Sequence, residues 1–220
     1  MTRLKNFKWA ILILVLHLII VGYFAVKLPL DAKVPMHWNI HNEIDGWTSR
    51  TMGLLFFPAL NVGMFFLFVL MPWYSPWYRK FEERFERVLP SLTTTLLLFF
   101  SLLSVYSLYI ALAGEIPGIR FIMILIGLLF IFLGNILPKV PKNFFIGIKT
   151  PWTLSSDLVW EKTHRMGGLL FVLVGLLMIV KGVILIDHSG FQKASAVVAL
   201  GMLLYPLLYS FIVYKAVEKE

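Results

Sequence analysis

Residues Phe121–Ile186 read FIMILIGLLFIFLGNILPKVPKNFFIGIKTPWTLSSDLVWEKTHRMGGLLFVLVGLLMIVKGVILI. Two apolar runs, Phe121–Leu137 and Met166–Ile186, bracket a connector crowded with Lys, Pro, Trp, Thr and His. Each run approaches the ~20 residues that a helix needs to cross a bilayer. A helix is the only open-chain structure that satisfies its own backbone there. Four further runs have the same character: Trp9–Val26, Gly53–Trp73, Ser91–Ala113 and Ala194–Tyr214. The chain is 59% apolar and only 15% charged, with a mean hydropathy of +0.83. A soluble domain carries about a quarter charged residues. The expected fold is therefore all-α, an integral membrane bundle of six helices in the cell membrane.

Lys and Arg set the orientation. Fourteen of the 20 fall on one side: Arg3, Lys5 and Lys8; Arg79, Lys80, Arg84 and Arg87; Lys139, Lys142, Lys149, Lys162 and Arg165; and Lys215 and Lys219. Basic loops stay cytoplasmic, so both termini and the dense connector are expected inside, and residues 28–52 outside. The first run lacks a small-residue cleavage site after it and reads as an uncleaved anchor. The chain is expected to organise as an N-terminal two-span unit, 1–74, with its outer loop 28–52. An amphipathic connector, 75–89, follows, and then a four-span unit, 90–220, with a cytoplasmic loop, 138–165.

Composition excludes several function classes. There is no cysteine, so disulfides, thiolate nucleophiles and cysteine–zinc sites are impossible. The net charge of +8 is spread over membrane-flanking loops instead of one stripe, which suits lipid headgroups and not direct nucleic-acid binding. No membrane-embedded Asp or Glu is present, which disfavours a cation-coupled transporter. His17, Asn61, Asn135 and Lys181 are the polar exceptions within spans, and Lys181 is near enough to a helix end to snorkel. Gly127 and Gly134, and Gly168, Gly175 and Gly182, recur every seven residues and so lie along one face of each helix. Small residues permit close helix approach, so the fourth and fifth spans are expected to pack tightly.

The outer loop contains PMHWNIHNEIDGW, Pro35–Trp47. His37, His41 and Asp45 would share a face of a helix and could hold a divalent ion. Asp45-Gly46 is instead a turn signal, which favours a polar loop bonded to its own backbone. With Asn39 these residues form a candidate surface for an external ligand; no metal and no cofactor is assigned. In the dense connector, three prolines keep the first half extended. Ser155, Ser156 and Asp157 offer N-cap chemistry for a helix running into the fifth span. Trp160, His164 and Gly168 share a helical face, and Trp152 and Trp160 suit an interfacial belt. Ser155, Ser156, Asp157 and His164 are triad residue types, but no nucleophile elbow surrounds the serines. No enzyme is expected.

The connector's wording, GN-x-x-PK-x-x-x-N-F-F-x-G-I-K-TPWTLSS-x-x-VW-x-KTHR-x-GG, resembles the signature of the SdpI family of multi-pass membrane proteins. The outer loop resembles a short domain of unknown function with the pattern P-x-H-x-N-x-x-G-x-x-D-G; Asn42 stands where that pattern has glycine. The resemblance implies immunity to a secreted peptide toxin. It also implies signalling, in which a cytoplasmic ArsR-like helix-turn-helix autorepressor is held at the membrane. It points to Asn135, Pro138, Lys139, Phe145, Gly147, Thr150, Pro151, Trp152, Trp160, Thr163 and His164 as binding or signalling residues. A small transporter and a purely structural membrane protein remain the alternatives.

Overall fold

The computed structural model describes residues 2–39, 43–114, 121–184 and 189–218. A short helix α1 (Thr2–Asn6) leads into the first span, α2 (Lys8–Lys27). Strands β1 (Lys33–Trp38) and β2 (Ile44–Ser49) follow, then the second span, α3 (Arg50–Val69). Two short helices, α4 (Met71–Tyr74) and α5 (Pro76–Lys80), lead to α6 (Glu82–Ala113), the third span. The fourth span, α7 (Phe121–Ile136), ends in a 3-10 turn at Leu137–Lys139. After the dense connector come α8 (Pro151–Ser155), the fifth span α9 (Asp157–Ile184) and the sixth span α10 (Ser189–Val217). Among the described residues, six helices are long and apolar enough to cross a membrane. The chain is a multi-pass membrane protein.

Two details depart from expectation. The outer loop is neither helix nor irregular coil but an antiparallel hairpin, with Val34 opposite Thr48, Pro35 opposite Trp47 and His37 opposite Gly46. The sheet supplies backbone partners that a loop of this length must otherwise find. Arg50, at the start of α3, donates to the carbonyls of Leu28 and Ala25 and ties the hairpin's base to the end of α2. Val34 seats against Gly53, where an added Cβ would lie 2.6 Å from the valine side chain. Residues Glu82–Leu89, assigned from sequence to the amphipathic connector 75–89, are instead the opening turns of α6 and run unbroken through Pro90 into the span. Pro90 itself has no N–H to offer the carbonyl four residues earlier, a cost that falls in the second turn of the helix.

The most extensive helix pairing is α7 against α9. It follows the glycines. A Cβ on Gly134 would lie 2.6 Å from the carbonyl oxygen of Gly168, and one on Gly127 would lie 2.6 Å from that of Gly175. The two heptad stripes therefore meet in antiparallel register, as their spacing leads one to expect. In the other half, α6 packs against α2, α3 and β1, and it joins α7 to complete the bundle.

Candidate functional site: the connector between the fourth and fifth spans

Pro138 stops α7, and the connector then holds its shape through its own side chains. Asn143 is fully buried. Its amide nitrogen donates to the carbonyls of Pro141 and Ile146 at 2.7 and 3.0 Å, while its oxygen accepts the backbone N–H groups of Phe145 and Ile146, each at 2.7 Å. Every bond an asparagine side chain can make is used. This one residue thus replaces the secondary structure that residues 141–147 lack.

Gly147 adopts φ +117°, in the region L-residues avoid. The twist lays the chain directly on two stacked rings, Trp160 and His164, whose centroids are 3.9 Å apart. The N–H of Ile148 donates to Nε2 of His164 at 3.0 Å, and Nδ1 of His164 lies 2.8 Å from the carbonyl of Trp160. An N–H can only donate, so Nε2 must be bare and the proton must sit on Nδ1. The imidazole is neutral, and both nitrogens are spent on backbone. The Trp160 indole N–H donates to the carbonyl of Val140 at 3.0 Å. Trp160 is 4% exposed, so it is a core residue and not part of an interfacial belt. A helix face reading Trp160, His164 therefore grips both halves of the connector.

Thr150 caps α8 by accepting from the N–H of Thr153, and Thr153 reciprocates by accepting from the N–H of Thr150. Pro151 occupies the first helical position, where its missing N–H costs nothing. The Thr150 hydroxyl also meets that of Ser210 on α10 at 3.0 Å. Trp152 packs on Phe211 of α10. Asp157 pairs with Lys142. Phe144 and Phe145 point outward and rest edge-on against Trp77 and Tyr74, at 4.5 and 5.2 Å between ring centroids. An apolar cavity of about 200 Å³ lies beneath the connector, between Leu92, Leu133, Ile146 and Phe171.

Of the residues singled out from sequence, Gly147, Thr150, Trp160 and His164 come together in the connector's interior. Pro138 packs on Gly168. Thr163 is buried with its hydroxyl unbonded. Asn135 stands apart, its amide donating back to Ile131 in its own helix, and Lys139 lines a neighbouring basic cleft. Phe145 and Trp152 face α4 and α10. Asn143, Thr153, Ser210, Tyr74 and Trp77 were not singled out. Asn143 and Thr153 left local signals, an asparagine ahead of an irregular turn and a Thr-Pro-x-Thr capping pattern. The other three meet the connector only through the fold. Ser155 and Ser156 are engaged with nearby backbone, and His164 has no free nitrogen, so the triad residue types do not assemble.

At the opposite end of the bundle, His37 Nδ1 meets Asp45 across the hairpin at 2.5 Å. Asn39 and Glu43 close the hairpin with paired side-chain and backbone bonds. His41 lies outside the described residues. Within the spans, Asn61 Nδ2 sits 3.1 Å from Nδ1 of His17 and 3.0 Å from the Ser101 hydroxyl, a buried link among α2, α3 and α6. Lys181, near the C-terminal end of α9, is buried, at 5% exposed.

Residues 139–210 match the model of the SdpI/YfhL protein family. The chain carries an SdpI/YfhL-family region. This region begins at Lys139 and takes in the connector, α9 and most of α10. Residues 11–62, which span most of α2, the hairpin and about two thirds of α3, match a domain of unknown function (DUF1648). Over 151 residues the chain is 22% identical to the immunity protein SdpI of Bacillus subtilis (strain 168), covering 69% of this chain and 70% of that protein. No solved structure matches. The buried grip of Gly147, Trp160 and His164 thus lies wholly inside the SdpI/YfhL region.

Proposed function

We propose that this chain is a membrane immunity protein that protects its cell from a secreted peptide toxin, without catalysis. Both termini and the connector face the cytoplasm, and the hairpin faces outside. The observation that carries this reading is the span of α6. At one end its Tyr106 meets Trp38 of the hairpin, with ring centroids 6.0 Å apart. At the other end its Val88 packs with Val140 and Trp160 under the connector. One rigid helix of 32 residues, about 48 Å long at 1.5 Å per residue, therefore touches both faces. Toxin held at the hairpin, near His37, Asn39, His41 and Asp45, shifts α6 and changes what the connector presents. The exposed candidates for presentation are Phe144, Phe145 and Lys149, with Trp152 half-buried against Phe211. A cytoplasmic ArsR-like autorepressor is the partner that this change would recruit. Such coupling exists only if toxin and partner prefer the same packing state.

Survival of a toxin-sensitive bacterium tests this. Cells expressing the intact chain, a His37→Ala/Asp45→Ala variant or a Phe144→Ala/Phe145→Ala variant are challenged with the secreted peptide at equal membrane abundance. Protection by the intact chain, lost with the hairpin variant, supports the reading. Lack of protection by the intact chain overturns it. The buried His17–Asn61–Ser101 link favours one second reading, a permeation path through the N-terminal half. Proteoliposome flux abolished by His17→Leu would support it.

A further inference from the structure

The outer groove between α6 and α7 has two chemistries in series. At the connector end, Arg84, Arg87 and Ser91 of α6 face Pro138 and Lys139 across a cleft of about 390 Å³ with no carboxylate among its lining residues. About two turns further along α6, and one along α7, the lining becomes apolar: Leu98, Phe99 and Leu102 on α6 face Leu128 and Phe132 on α7 around a further 190 Å³. The Thr94 hydroxyl, also on this wall, is turned back onto the carbonyl of Pro90, so it presents no polarity to the groove. On α6 the contributing positions 84, 87, 91, 95, 98 and 102 step by three and four and form one stripe. From Ser91 to Leu102 the helix rises about 17 Å, close to half of a ~30 Å hydrocarbon core.

We propose that this groove is a binding site for one anionic phospholipid. Its phosphate sits among Arg84, Arg87 and Lys139, and one acyl chain runs along Leu98, Leu102, Leu128 and Phe132. Charge decides the occupant. Three cations converge where the headgroup layer lies, and an arginine fork matches a phosphate with two parallel bonds. Of the nearby carboxylates, Glu83 meets Arg87 at 3.6 Å with both side chains largely in solvent, while Asp157 and Glu161 line the adjoining cleft beside Arg84, where Asp157 is paired with Lys142. A helix from another protein would fill the apolar stretch but leave the three cations unanswered. Because Lys139 opens the connector, the bound lipid also braces the start of the SdpI/YfhL region. The proposal stands independently of the immunity reading.

The test uses the full chain purified in a mild detergent. Native mass spectrometry and thermal unfolding are read with phosphatidylglycerol, with phosphatidylcholine of the same acyl chains, and with inorganic phosphate. The expected result is one retained phosphatidylglycerol per chain, preferred over phosphatidylcholine by about tenfold or more. Arg84→Gln/Arg87→Gln/Lys139→Gln abolishes the preference, and Arg84→Lys/Arg87→Lys, which keeps the charge, retains most of it. Leu98→Trp, which fills the apolar stretch, weakens lipid retention. Equal retention of both lipids by the intact chain overturns the proposal. So does a thermal shift with inorganic phosphate as large as that with the lipid, which would mark a simple anion site. A dimer that Leu98→Trp dissolves also overturns it and assigns the groove to a second copy.

Discussion

Gly147→Ala should be among the most damaging single-methyl changes in the chain, and its cost can be divided. The first part is backbone: a φ of +117° forced on an L-residue costs about 1–3 kcal/mol. The second is steric. The new Cβ would lie 2.3 Å from Nε2 of His164, so the ring must move by roughly an ångström to reach ordinary contact. The Trp160 ring atoms at 3.2 Å need to yield only slightly. Moving the imidazole breaks its bond with the Ile148 N–H and leaves both groups buried and unpaired, about 1–3 kcal/mol more. The total is about 2–6 kcal/mol, a large share of the stability of a typical domain. Unfolding in mixed micelles by a denaturing detergent, followed by tryptophan fluorescence, measures it. The decisive comparison is a double-mutant cycle. With His164→Ala in place the methyl has room, so Gly147→Ala should then cost only its backbone part. A coupling of about 1–3 kcal/mol is expected. If the two changes add to within about 0.5 kcal/mol, the ring is not what the glycine accommodates, and the account of this contact is wrong.

Further outcomes follow from other contacts. Gly134→Ala drives a methyl to 2.6 Å from the Gly168 carbonyl, so the thermal midpoint should fall by the equivalent of about 1–3 kcal/mol; Gly201→Ala, in α10 with nothing within 4 Å, is the matched control and should be neutral to stabilising, by up to about 1 kcal/mol. Trp160→Phe keeps the ring stack but removes the donor to Val140, and faster amide exchange over residues 138–148 should report the loss. Asn143→Ala removes four bonds at once and should open the connector to protease before the spans unfold, whereas unchanged cleavage would mean that the connector is held from elsewhere. Asn61→Leu alone should destabilise by orphaning His17, while His17→Leu/Asn61→Leu should recover much of that loss and leave toxin protection intact.

The spans were legible because a bilayer imposes a length and a polarity that composition cannot disguise. The α7–α9 seam was legible because heptad glycines leave a stripe with one plausible use. The hairpin was not. Pro35 stands within β1, register shifts flank His37, and the spacing of His37, His41 and Asp45 mimics a helical face, so the alternation that announces a strand is broken. In the connector, Trp160 and His164 could be placed on one face from their spacing, but no local pattern marks that face as turned inward. That depends on Gly147 folding back over it, a contact between positions far apart in the chain. The seats for Phe144 and Phe145 come from α4 and α5, more than 60 residues earlier, and no local pattern encodes such a meeting.

The self-sufficiency of Asn143 has an evolutionary consequence. Because this side chain and the Trp160–His164 pair hold the connector from within, its outward positions carry little of the architecture. Phe144 and Phe145 can be exchanged with the frame left standing, whereas the Lys149 ammonium still donates to both of their carbonyls. Lineages facing different antagonists or acquiring different intracellular listeners could therefore rewrite the display surface one residue at a time, each step passing through a folded protein.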